Sequence, residues 1–181
     1  TSLIVIVLIN RLFIVDMNLE RYKFKAETDV MTGALSREAG LTHLKNEMTQ
    51  AISYKYDLTI AYVDVNDLKV VNDRFGHKEG DRLIKAISDI IQSTLREFDI
   101  ISRLGGDEFL IVIPYVHENE YLQQMKKRLK GVLSYKLEFN GYSVLVTASI
   151  GYAVYPKHGL DFDMLFTIAD EQMYVDKSTV I

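Results

Sequence analysis

Residues 99–104 and 107–113 are apolar, β-branched runs of strand length, and only Gly105 and Gly106 lie between them. A two-residue Gly-Gly link is a strong hairpin signal, because both turn positions can take positive φ without a Cβ penalty. An antiparallel hairpin in mid-chain argues against a doubly wound parallel sheet, whose strands are joined by crossovers.

The rest of the chain fits around that hairpin. Residues 57–65 alternate and are β-branched, which predicts a strand with Asp64 near its C-terminal end. A short helix over 69–75 stops at Gly76, and from about Gly80 the apolar residues Leu83, Ile84, Ile87, Ile90, Ile91 and Leu95 keep helical spacing. Further helices are expected through Leu41, Leu44 and Met48, over 118–133, and over 161–177 with Leu165, Ile168 and Met173 facing inward. Residues 143–155 read as strand. The expectation is an α+β fold with a central mixed, mostly antiparallel sheet flanked by helices.

Residues 1–28 read as a separate N-terminal helix, and 29–181 as one domain. Val5, Leu8, Leu12, Val15, Leu19, Tyr22 and Ala26 alternate spacings of three and four, a heptad seam for pairing with a second copy or for packing on the chain's own domain. The apolar run at the start is too short to span a bilayer as it stands. It suits the cytoplasmic end of a membrane helix, with Arg11 at the inner surface.

Composition narrows the chemistry. The 181 residues carry 21 Lys and Arg against 25 Asp and Glu, a net charge of -4, which argues against broad binding to nucleic acid. There is no cysteine, so disulfides, thiolate nucleophiles and cysteine zinc sites are excluded together. A polyanionic ligand would need local lysines or metal ions.

Asp64 ends one predicted strand, and Asp107 and Glu108 begin another just past the Gly-Gly turn. If these strands are neighbours, three carboxylates meet at one sheet edge, and a hard cation such as Mg²⁺ would relieve their repulsion. Adjacent strand residues face opposite ways, which favours Asp107 as the principal ligand over Glu108. Taken alone, the same tetrad also suits a solvated hairpin tip. After Asp64, Lys69 offers a cation for phosphate, Asn72 and Asp81 offer groups for a base edge, and Gly76 and Gly80 allow close backbone approach. Those residues suit helix capping and turns as well.

Five segments in order carry a resemblance: DVMTGALSR, DVNDLKVVNDRFGHKEGD, RLGGDEF, ASIGYAVYP and ADEQMYVDK. Together they resemble the GGDEF family of diguanylate cyclases over about residues 29–177. The resemblance implies a palm-like sheet and condensation of two GTP into cyclic di-GMP with release of two pyrophosphates. It implies a homodimer in which each domain holds one GTP and two Mg²⁺ or Mn²⁺ ions serve each site. By similarity Asp64, the carbonyl of Val65, Asp107 and Glu108 hold metal, with Asp107, Glu108 and Lys69 in the chemistry. Asn72 and Asp81 would hold guanine, while Lys177 and the backbone at Asp67 and Leu68 face the phosphates. Arg96 and Asp99 resemble the family's inhibitory product site.

The sequence departs from the family pattern at four places. Asn66 and Leu68 stand where Asp and Phe are usual, Ser36 where Asn is usual, and Ile181 where Arg often follows. The competing expectations are a catalytically inactive module that senses GTP or cyclic di-GMP, and a purine nucleotidyl cyclase acting on one ATP. The expected location is a cytoplasmic domain of an inner-membrane-anchored protein.

Overall fold

A computed structural model describes residues 27–116, 124, 127, 129–131, 135–139 and 142–178. The elements run α1 (Arg37–Tyr54), β1 (Leu58–Val65), α2 (Leu68–Phe75), α3 (His77–Thr94), β2 (Ile100–Gly105), β3 (Glu108–Pro114), β4 (Tyr135–Phe139), β5 (Tyr142–Val146), β6 (Ala148–Tyr155) and α4 (Phe162–Ser178). The heptad helix expected over 1–28 lies almost wholly outside the described residues. Of the helix expected over 118–133, the described residues 124, 127 and 129–131 are helical.

Four strands form the main sheet in the order β2-β3-β1-β6, and β4 and β5 form a separate hairpin. Each pairing between these strands is antiparallel. The parallel contact among the described residues is an isolated bridge between Leu35 and Ser102. β1 is central and buried along its whole length, so it needs apolar cover on both faces. Leu58, Ile60 and Tyr62 point into a cluster with Leu44 and Met48 of α1 and Leu165 and Met173 of α4. The alternate residues Ala61, Val63 and Val65 point into the opposite cluster, against Leu83, Ile87 and Ile91 of α3. The result is three layers, helices over both faces of an antiparallel sheet.

Local sequence explains the helix ends. Ser36 caps α1 by accepting from the Ala39 N–H at 3.3 Å, and Glu38 in the first turn suits the helix dipole. α3 begins three residues earlier than the apolar spacing indicates, because Gly76 at φ 89° turns the chain directly from α2 into α3.

Two boundaries differ from expectation for reasons that matter to the site. Gly105 is the last residue of β2 and pairs with Glu108, so the turn is Gly106 and Asp107 rather than the two glycines. A bulge between Arg103 and Gly105 absorbs the shift, with Gly105 at φ 145° and Gly106 at φ 53°. The strand expected over 143–155 is two strands broken at Thr147, whose carbonyl leaves the ladder to accept from the Asn66 N–H at 2.9 Å.

α4 lies unusually close to β6. A Cβ built on Gly151 would sit 1.9 Å from the Ala169 carbonyl oxygen and 2.2 Å from the Met173 nitrogen. Asp176 then fastens the helix by accepting from the Ile150 N–H at 3.0 Å and pairing with Lys130. Gly151→Ala must therefore push backbone against backbone. We expect it to destabilise the domain by about 3 kcal/mol, lowering Tm by roughly 6–12 °C in thermal unfolding.

Candidate active site

The antiparallel register sets Asp64 of β1 directly opposite Glu108 of β3. Cross-strand partners project from the same face. That face is the one shared by Tyr62 and by Leu110 and Val112, under α4. The sequence argument ranked Asp107 above Glu108 because it put both on the strand. The one-residue shift in the hairpin instead gives Glu108 the position facing Asp64 and moves Asp107 into the turn. Asp107 is tethered there by its carbonyl, which accepts from the Val65 N–H at 3.0 Å.

Asp64 is buried, and its Oδ1 accepts from Lys177 Nζ of α4 at 2.6 Å. The close α4–β6 packing at Gly151 is what delivers Lys177 to this point. The bond to Asp64 raises the Lys177 pKa. The reciprocal effect does not win at Asp64. Burial raises its carboxyl, Lys177 pulls it down, and the charges of Asp107 and Glu108 push it up again, leaving it above the usual carboxylate range. The Tyr62 hydroxyl is also pushed up, first by burial and then by a hydrogen bond to Glu108. Asp64 thus holds the Lys177 ammonium while the charges of Asp107 and Glu108 act on it from the same strand ends.

Among the described residues no group of three or more Asp, Glu or His side chains encloses a metal by itself. Mg²⁺ does not require one, since it commonly takes one or two carboxylates and completes its shell with water and substrate phosphate. Asp64 and Glu108, set opposite each other on one face of β1 and β3, fit that role.

The chain between β1 and α2 makes the next wall. Asp67 adopts a left-handed conformation at φ 59° and its side chain makes no capping bond, so the first N–H groups of α2, from Leu68 on, have no cap from it. Lys69 is exposed on the first turn of α2. Asn72, on the next turn, lies against α3, where a Cβ on Gly80 would come within 2.0 Å of its Oδ1. A side chain at Gly80 would displace the Asn72 amide from this place, and Asp81 follows it, exposed. The structure brings Asn72 against the start of α3.

Arg96 and Asp99 stand apart from this cluster. The Arg96 N–H donates to Asp99 Oδ2 at 2.9 Å, and the Asp99 N–H donates to the Arg96 carbonyl at 3.1 Å, closing a turn with Phe98 exposed at its tip. This turn opens β2, whereas the acids sit at its far end.

Two positioning groups carried no role in the sequence reading. Arg103 donates from Nε and Nη2 to the Gly106 carbonyl at 3.1 and 2.7 Å, and from Nη1 to both oxygens of Asp29 at 3.2 and 3.3 Å. Asp29 also accepts from the Thr32 N–H and hydroxyl at 2.9 and 2.7 Å. Burial alone would raise the Asp29 carboxyl, but the Thr32 and Arg103 contacts outweigh it and hold it below its usual value. An arginine two residues before the glycine pair is the signal the sequence offers.

A family profile described as "Diguanylate cyclase, GGDEF domain" matches residues 26–180. The chain is 35% identical over 150 residues to diguanylate cyclase DosC of Escherichia coli K12, covering 82% of this chain and 32% of that protein. It is 32% identical over 158 residues to cyclic di-GMP phosphodiesterase PdeR of the same organism, covering 87% of this chain and 23% of that one. The chain therefore spans a third or less of the length of these curated relatives. A crystal structure of a sensory box/GGDEF family protein from Caulobacter crescentus CB15 matches at TM-score 0.77 and 28% identity, covering 85% of this chain and 99% of that one.

The raised Asp64 carboxyl has a consequence for stability. An acid whose folded pKa lies above its unfolded value of 3.8 favours the fold below that value and weakens it as pH rises through the folded pKa. Asp64→Asn should therefore be at least as stable as the parent at neutral pH, with the difference closing below about pH 4. Mg²⁺ should raise the parent's Tm and leave that of Asp64→Asn unmoved, both read by calorimetry.

Proposed function

The chain belongs to the GGDEF diguanylate cyclase family, and from that premise we propose that it condenses two GTP into cyclic di-GMP and two pyrophosphates. The observation that carries this reading is the pairing of Asp64 with Glu108 across β1 and β3, with Lys177 as the cation on Asp64. A module that only bound nucleotide would have no need to hold mutually repelling acids at a buried strand end.

In the proposed reaction the 3′-hydroxyl of one GTP attacks the α-phosphate of the other. A P–O bond forms, pyrophosphate leaves, and the second attack closes the ring. Asp64 and Glu108 would hold divalent metal, with Asp107 and the Val65 carbonyl at the same edge. Mg²⁺ bound there would lower the pKa of the attacking hydroxyl and neutralise charge on the transferring phosphoryl group and pyrophosphate. The N–H groups at the start of α2, with Lys69 and Lys177, would orient the triphosphate. Glu108 is the group best placed to take the hydroxyl proton, since the β1–β3 register sets it on the face of Asp64.

Asn72 and Asp81 would read guanine, because a carboxylate needs the imino and amino donors that adenine does not present there. One domain holds one substrate, so ring closure needs a second copy facing it. The upstream segment is proposed to supply that pairing, and membrane attachment where it exists. Among the described residues no helix is long and apolar enough to cross a membrane. Arg96 and Asp99 are proposed as the product-feedback site, with the guanidinium pairing to phosphate.

The test is incubation of the dimerised protein with GTP and Mg²⁺ and chromatography for cyclic di-GMP. GTP binding without product would favour the sensor reading instead. Asp81→Ala should weaken GTP about tenfold or more while leaving ATP affinity unchanged; equal loss for both nucleotides would mean Asp81 is structural.

A further inference from the structure

Asn66 lies between the acid Asp64 and the backbone that opens α2, and it is 5% exposed. Its backbone N–H donates to the Thr147 carbonyl, its Nδ2 donates to Thr147 Oγ1, and its Oδ1 accepts from the Ser149 hydroxyl, each at 2.9 Å. A buried amide with every contact made on one neighbouring strand fixes the chain at that point. The next residue, Asp67, is a non-glycine held at φ 59°, a conformation that costs free energy unless its surroundings impose it. Asp67 makes no side-chain cap that could impose it. The constraint comes from Asn66 on one side and from the start of α2 on the other.

We propose that Asn66 is a positioning residue for the nucleotide's β- and γ-phosphates, acting through the backbone of Asp67 and Leu68. Its three bonds to Thr147 and Ser149 hold the β1–α2 connection against β6 in the one path that aims the first N–H groups of α2 at the site. The break between β5 and β6 at Thr147 is the other half of the device. Thr147 leaves the sheet to face Asn66, and Ser149, fully buried, reaches it from the second residue of β6. Release of the anchor lets Asp67 relax toward ordinary backbone angles, which turns the N–H groups away from the phosphates and leaves the Asn72 and Asp81 end of the site in place.

This inference rests on the GTP reading above, and the experiment separates the two. GTP and GMP affinities are measured by calorimetry at saturating Mg²⁺ for the full chain, for Asn66→Ala, and for Thr147→Val combined with Ser149→Ala, which removes the anchor from the other side. Both variants should bind GTP about tenfold more weakly, the scale of one or two lost hydrogen bonds, and GMP as the parent does. A parent that fails to bind GTP overturns the functional reading and this inference with it. A parent that binds GTP while the variants lose GTP and GMP alike, or lose neither, overturns the positioning role alone. If Asn66→Ala does not fold, the Thr147/Ser149 variant, which leaves the Asn66 backbone bond intact, decides the question.

Discussion

The register between β1 and β3 is the constraint on which the site depends. A side chain's face alternates with every residue, so slipping this pairing by one would send Glu108 to the α3 side and leave Asp64 without its neighbour. The register is held at both ends of the hairpin. The two buried faces fix it along the sheet, since a slip by one would move Phe109 and Ile111 out of the cluster under α3 and put the Glu108 carboxylate there instead. The bulge before Gly105 and the Val65–Asp107 backbone bond fix it at the acids themselves. Arg103 adds a third fastening, pulling the Gly106 carbonyl toward Asp29 and so tying the turn to the segment that leads into α1.

That geometry is maintained against electrostatic cost. Burial first, and the charges of Asp107 and Glu108 after it, raise the Asp64 carboxyl even though Lys177 is bonded to it. Because Lys177 reaches Asp64 from α4, a metal bound at Asp64 would compete with or add to a fastening between that helix and β1. Occupancy of the site and the seating of α4 on β6 are then linked, with Gly151 setting how far α4 can move before backbone atoms collide.

Much of this was legible in the chain. The Gly-Gly link, the alternation of β1 and the helical spacing after Gly80 located the sheet and both helix layers, because each reflects a local periodicity. The acids at 64, 107 and 108 were legible as a group for the same reason. What was not legible was non-local or one residue fine. The bulge that moves Asp107 into the turn depends on how Leu104 packs, which no local pattern encodes. The Thr147 break depends on a partner 81 residues away. Arg103 looked like an ordinary strand residue until Asp29 was in place to receive it. The α4–β6 approach at Gly151 left no trace in periodicity, since a glycine inside a strand reads only as a weak point.

The turn formed by Arg96 and Asp99 sits at the opposite end of β2 from Gly105, and six residue steps of extended chain separate the two by roughly 20 Å. A ligand held by that turn cannot also touch Asp64 in the same domain. Any influence of such a ligand on catalysis must pass through displacement of β2 as a body or through the position of a second copy. β2 is an edge strand, paired only with β3 in the main sheet, and it carries the Arg103 fork that holds the signature turn. A force on its start therefore has a mechanical route to the acids through Arg103 and the turn it holds. The outer edge of β2 is not free either: the Leu35 N–H donates to the Ile101 carbonyl and the Leu35 carbonyl accepts from the Arg103 N–H, so the segment that leads into α1 is coupled to the same strand.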